Sequence, residues 1–243
     1  GHGAPSIGSD GASGRARAPR RVTFPTLGGG TDAAAGDDAE IIPVLRFRRL
    51  FSMTAASTPE LESERRALVD LIAAEAVFHG DFTLSSGKKA TYYVDMRKLT
   101  LDHRAAPAIG RLVLDAVRDL NVDAVGGLTL GADPIANAVM HASVAAGTPV
   151  DAFVVRKEPK DHGRGRQIEG AEVTGKRVVI VEDTSTTGGS PLKAAEVVAA
   201  AGAEIVAVVT VVDRKTGAQA AVEAAGYEWR SIIDLDDLGL QAQ

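Results

Sequence analysis

From about residue 101 onward the chain alternates short apolar runs with longer helix-forming stretches. Runs such as Val178-Val179-Ile180-Val181 have no polar member to turn toward water, so they read as strands buried on both faces of a sheet. The pattern predicts strands near 123–127, 150–155, 177–181, 204–212 and 228–233. Helices are expected near 104–119, 133–146, 191–202 and 216–225, and a polar loop near 157–175. Ahead of this alternation, Thr58 is a good N-cap and Pro59 a good first helical residue, opening a helix expected to run to about Phe78. Phe82 to Leu84 and Thr91 to Val94 read as two short strands around Ser85-Ser86-Gly87-Lys88-Lys89. Strand–helix alternation of this kind predicts an α/β fold: an open, mostly parallel sheet with helices on both faces. The first helix and the hairpin add a small hood, about 53–100, to a core of about 101–243.

The first 52 residues differ from the rest. Over half of residues 1–40 are Gly, Ala, Arg or Pro, the composition expected of GC-rich DNA read upstream of a start. Met53 stands just before the first well-signalled helix, so it is the expected native first residue, with 1–52 disordered or non-native. A targeting presequence is the competing reading; Arg15, Arg17, Arg20 and Arg21 suit it, whereas Asp10, Asp32, Asp37 and Asp38 do not. With 243 residues, 45% of them apolar, the chain can bury the core of one α/β domain. A formal charge of −5 argues against a nucleic-acid surface. The absence of cysteine excludes disulfides and thiolate chemistry and fits a cytoplasmic location. No apolar run reaches the roughly 20 residues of a membrane helix.

Candidate chemistry gathers where strands end, the edge at which open α/β sheets bind ligands. After the strand near 177–181 come Glu182-Asp183, then Thr184-Ser185-Thr186-Thr187-Gly188-Gly189, read as a turn able to close backbone N–H groups around an anion. Ser190 is the expected N-cap and Pro191 the first residue of the next helix, whose positive end favours phosphate. Adjacent carboxylates would repel a polyphosphate but accept hydrogen bonds from sugar hydroxyls, so the segment suits a ribose 5-phosphate. The strand ending at Val155 leads into Arg156-Lys157-Glu158-Pro159-Lys160-Asp161-His162-Gly163-Arg164-Gly165, a cationic loop loosened by glycine and able to cover a pyrophosphate. Thr129-Leu130-Gly131-Ala132-Asp133 and Asp213-Arg214 occupy two further strand exits. A partial Walker A pattern at 170–176 lacks the Ser/Thr after its lysine and precedes a strand, so it is set aside.

Residues 178–191 resemble the phosphoribosyl pyrophosphate (PRPP) signature of type I phosphoribosyltransferases, and the loop R-K-x-x-K-x-H-G-x-G resembles that of their orotate phosphoribosyltransferase branch. The hairpin Phe82–Lys89 with Tyr92-Tyr93-Val94-Asp95, and Val212-Asp213-Arg214, support the same branch. The chain departs from the family pattern at Ser85, at Thr129-Leu130 and at Arg164. The resemblance implies a single phosphoribosyltransferase domain over 53–243 that converts orotate and PRPP to orotidine 5′-monophosphate and pyrophosphate with Mg²⁺. It implies PRPP contacts from Arg156, Lys157, Lys160, His162, Glu182, Asp183, Thr184, Ser185, Thr186, Thr187, Gly188, Gly189 and Ser190. Thr186, Arg214, Tyr92 and Tyr93 fall at the orotate, and Lys160, His162 and Asp183 take catalytic roles. Mg²⁺ is expected to bind through PRPP and water with no direct protein ligand. A homodimer sharing the loop 156–165 between subunits is also implied. A purine phosphoribosyltransferase and a non-catalytic PRPP sensor are the alternatives.

Overall fold

The computed structural model describes residues 58–83, 89–158 and 167–242. The expectations for 1–52, Ser85, Lys160, His162 and Arg164 lie outside the described residues. In chain order the elements are α1 (Thr58–Glu75), β1 (Val77–Thr83), β2 (Lys89–Val94), α2 (Arg97–Thr100), α3 (Ala106–Ala116), β3 (Ala124–Leu128), α4 (Ala132–Ala145) and β4 (Asp151–Val155). They continue with β5 (Ile168–Gly170), β6 (Arg177–Ser185), α5 (Gly189–Ala200), β7 (Glu204–Asp213), α6 (Ala218–Ala224) and β8 (Trp229–Asp234).

Six strands form the main sheet in the order β5-β4-β3-β6-β7-β8. All neighbours run parallel except the edge strand β5, which is antiparallel to β4. The expected α/β architecture is therefore present. The chain moves outward from β3 to β4 and then returns to place β6 on the other side of β3. This reversal opens a crevice at the carboxyl ends of β3 and β6, the position where such sheets accept ligands.

Side-chain alternation along β6 divides the core. Val178 and Ile180 pack with Ala194, Ala195 and Val198 of α5 and Val222 of α6. Val179 and Val181 face the opposite layer, with Leu68 and Ile72 of α1, Ile109 and Val113 of α3, and Ile135 and Val139 of α4. A polar residue at either set would be stranded, which is why the run reads as apolar throughout. Burying one such Val or Ile side chain stabilises the fold by about 1.5–3 kcal/mol. Gly110 lets α3 and α4 touch, since a Cβ there would collide with the Ala138 backbone. The hairpin is not independent of this core: Ala90, Tyr92 and Val94 alternate inward on β2, and Tyr92 and Val94 join the α1 side.

Four boundaries differ from the sequence expectation. The first helix stops at Glu75 rather than near Phe78, because Val77 and Phe78 pair with Val94 and Tyr93 across the hairpin. Cross-strand pairing of β-branched and aromatic residues overrides the helical pattern there. Strand β6 runs past Val181 to Ser185, since its pairing with β7 continues to Ser185 opposite Asp213. Glu182, Asp183, Thr184 and Ser185 thus lie on the strand, and the turn shrinks to Thr186–Gly188. Ser190 is not the N-cap: Gly188 holds that position in the left-handed region, φ 79°, and Ser190 and Pro191 sit within the first turn of α5. Proline is tolerated there because first-turn N–H groups have no intrahelical acceptor. Finally, the polar loop 157–175 contains β5, three residues that the pattern is too short to reveal.

Candidate active site

A cavity of about 330 Å³ occupies the crevice at the ends of β3 and β6. Five separate pieces of chain wall it. The exit of β2 supplies Tyr93, Asp95 and Arg97; the loop after β3 supplies Thr129, Leu130 and Gly131. Strand β6 and the turn beyond it supply Glu182, Asp183, Thr184, Thr186 and Ser190, and Lys157 and Arg214 complete the wall.

The acidic pair sits at the centre. Glu182 is only 6% exposed, and Asp183 is half-buried. Oε1 of Glu182 accepts a long hydrogen bond from the Asp183 N–H at 3.2 Å, whereas Oε2 has no partner. Burial, reinforced by the neighbouring Asp183 carboxyl, pushes the Glu182 pKa up to about 8. Oδ1 of Asp183 accepts from the Thr184 N–H at 2.6 Å. Gly131 closes in from the opposite loop so tightly that a Cβ would stand 2.7 Å from Glu182 Oε1 and 3.0 Å from Asp183 Oδ1. Asp133, beside it, accepts from the Thr129 hydroxyl at 2.7 Å and fastens this loop to the start of α4. The peptide between Thr129 and Leu130 is cis.

Beyond the carboxylates, the Thr186–Gly188 turn feeds the N-terminus of α5, whose first turn carries no acidic residue. Free backbone N–H groups and the helix dipole favour an anion there. On the opposite side stands Arg214, 4% exposed, with its backbone N–H donating to Ser185 O at 3.1 Å. Three atoms of cavity-lining residues are buried without a hydrogen-bond partner: Glu182 Oε2, Thr184 Oγ1 and Arg214 Nε. Native folds leave few buried polar atoms unpaired, so this grouping suits a ligand that offers hydroxyls, anionic oxygens and an acceptor together.

Of the fourteen sequence-derived candidates among the described residues, the structure brings eight together and separates six. Glu182, Asp183, Thr184, Thr186, Ser190, Lys157, Arg214 and Tyr93 share the cavity. Tyr92 points the other way, 3% exposed in the core behind it. Ser185 and Gly188 are buried, Thr187 and Gly189 are exposed, and none of the four lines the cavity. Arg156 lies outside it, 3.9 Å from Glu169. The sequence reading missed Arg97, which lines the wall with its Nε 3.1 Å from Asp95. Its signal was weak: a cation two residues beyond a hairpin carboxylate is ordinary surface composition. Among the described residues no group of three His, Asp or Glu side chains is arranged to hold a metal ion, and no helix is long and apolar enough to cross a membrane.

Comparison with known proteins identifies the family. Residues 99–234 match the phosphoribosyl transferase domain family. Over 181 residues, 74% of this chain and all of the relative, the sequence is 56% identical to the orotate phosphoribosyltransferase of Streptomyces avermitilis. The crystal structure of Mycobacterium tuberculosis orotate phosphoribosyltransferase in complex with Fe(III) dicitrate superposes with a TM-score of 0.67 at 56% identity, covering 73% of this chain and 99% of that one. A second structure of the mycobacterial enzyme, in complex with PRPP, gives a TM-score of 0.64 at 52% identity over 73% of this chain and 99% of that one.

Proposed function

The chain belongs to the phosphoribosyltransferase family, on its orotate branch, and from that premise we propose that it transfers ribose 5-phosphate from PRPP to a ring nitrogen of orotate, forming orotidine 5′-monophosphate and releasing pyrophosphate. The observation that carries this reading is the pairing, across one cavity, of a carboxylate couple, Glu182 buried and Asp183 half-buried, with a buried arginine. A ribose diol needs acceptors, and a base that carries its own carboxylate needs a guanidinium fork.

The C1′–oxygen bond to pyrophosphate breaks as the bond to the base nitrogen forms, so positive charge develops on the ribose while the leaving group takes the electron pair. Most of the catalysis is then positioning and charge stabilisation. Glu182 and Asp183 accept from the ribose hydroxyls, which gives the orphaned Glu182 Oε2 its partner. Thr186 to Ser190 bind the 5′-phosphate at the N-terminus of α5. Lys157 and Arg156, with Lys160 and His162 of the same loop, neutralise the departing pyrophosphate. Arg214 orients orotate, whose anionic ring nitrogen needs no protein base. The oxygen-rich cavity wall fits a magnesium ion bound mainly through PRPP oxygens and water, and such an ion, when bound, neutralises pyrophosphate charge. A homodimer in which loop 156–165 reaches the neighbouring subunit's site completes the proposal.

The test is PRPP- and Mg²⁺-dependent loss of orotate absorbance, with uracil, adenine and hypoxanthine as parallel acceptors. Orotate consumption with orotidine 5′-monophosphate formed supports the reading. Turnover of another base alone overturns the role of Arg214 and keeps the PRPP half.

A further inference from the structure

Tyr92 and Arg214 form a unit that the reaction scheme leaves unexplained. The guanidinium carbon of Arg214 lies 5.5 Å from the centroid of the Tyr92 ring. Tyr92 itself is 3% exposed, does not line the cavity, and donates its hydroxyl to the Gln241 carbonyl at 2.7 Å. Among the described residues no carboxylate pairs with Arg214, although that side chain is 4% exposed. A buried cation normally takes a carboxylate partner. Such a partner here would occupy the N–H edge that an incoming carboxylate needs. An aromatic face attracts the guanidinium from the side and leaves its hydrogen-bonding edge open.

The next residue fixes the other flank. Lys215 Nζ contacts Asp234 at 3.0 Å and Asp236 at 2.5 Å, so the segment 234–241 touches both the side chain that follows Arg214 and the ring beside its guanidinium. Leu238 and Leu240 anchor that segment on the core, and Arg65 of α1 ties it down through Asp237 at 2.5 Å.

We infer that Tyr92 is a positioning residue for the base end of the site: held by the Gln241 carbonyl, its ring presents Arg214 to the carboxylate of the acceptor base without neutralising it. The inference rests on the assignment of Arg214 to orotate. It differs from the sequence expectation, in which Tyr92 itself bordered orotate.

The experiment compares Tyr92→Leu and Tyr92→Phe with the unaltered chain, measuring KM for orotate and for PRPP, and the kcat/KM ratio for orotate over uracil, which lacks the carboxylate. Tyr92→Leu removes ring and tether and is expected to raise the orotate KM about tenfold and to lower the orotate-over-uracil ratio by a similar factor. Tyr92→Phe keeps the ring and loses the tether, with an expected rise of about threefold. The PRPP KM stays within about twofold in both, because Glu182, Asp183 and the phosphate turn are untouched. Equal losses toward both substrates, or an unchanged orotate-over-uracil ratio, would mark Tyr92 as a packing residue and overturn the inference. If Tyr92→Leu does not fold, the near-isosteric Tyr92→Phe decides alone: an orotate KM unchanged there overturns the tether. Failure of the unaltered chain to use orotate at all is a separate outcome, which removes the assignment of Arg214 together with the inference.

Discussion

Glu182→Gln tests the electrostatics of the site without changing its shape. A carboxyl 6% exposed beside a second carboxyl is costly to ionise, and burial with Asp183 moves its pKa from 4.5 to about 8. At 1.36 kcal/mol per tenfold change in proton affinity, that displacement sets a ceiling of about 5 kcal/mol; local hydration and side-chain relaxation reduce it to about 1–3 kcal/mol. The sign follows from the folded protein holding the proton more tightly than the unfolded chain. The contribution is fully present below pH 4.5 and is lost as pH rises toward and through about 8. The glutamine variant cannot ionise, so its stability lacks this slope. It starts slightly below the unaltered protein at low pH, where an unpaired amide N–H replaces a protonated carboxyl, at a cost of about 1 kcal/mol. It becomes the more stable of the two above pH 8. Urea denaturation of both proteins without ligand, at intervals from pH 5 to 9, measures this directly. Parallel stability curves with no crossover would refute the argument, whatever the activity of the variant.

Three further expectations follow from the geometry. Gly131→Ala places a methyl 2.7 Å from Glu182 Oε1, so PRPP affinity should fall at least about tenfold while the fold survives; calorimetric PRPP titration beside a circular dichroism melt checks both. Lys160→Ala should lower kcat by about 10²–10³ with PRPP binding little changed, since a contact to the leaving group strengthens as its charge develops; single-turnover rates and a binding isotherm separate the two, and unchanged turnover would reject the role. Ile180→Ala, emptying a fully buried position between β6 and α5, should cost about 2–5 kcal/mol in denaturant unfolding with the orotate and PRPP KM values preserved in the folded fraction.

What the chain discloses before folding depends on how local the cause is. Val178 to Val181 betray a central strand because both of their faces are covered, a property written into four consecutive residues. The acidic pair and the cationic loop are legible for a related reason: their chemistry lies in consecutive residues. Contacts made by distant partners are not legible. Nothing near Gly131 indicates that its missing side chain makes room for Glu182, some fifty residues later. Ser190-Pro191 looks like a helix start by local preference, yet the left-handed Gly188 begins the helix earlier. Val77 and Phe78 continue a helical pattern until Tyr93 and Val94 claim them as strand partners. Tyr92 and Tyr93 look equivalent in sequence, but the pleat of β2 sends one into the core and the other to the cavity.

The tether between Tyr92 and Gln241 divides the two ends of the cavity by the length of chain that must close to make them. The phosphate turn lies within one short run, Ser185 to Ser190, and is braced by the Thr216 hydroxyl donating to the Thr186 carbonyl, a closure of 30 residues. The base end needs a hydrogen bond that closes 149 residues. A contact that closes so long a span is expected to form late in folding. The anion cradle, closed by shorter spans, is therefore expected to form before the base end during refolding. If Tyr92 positions Arg214, loosening of the segment 234–241 is expected to lower the preference among bases before it weakens phosphoribosyl binding.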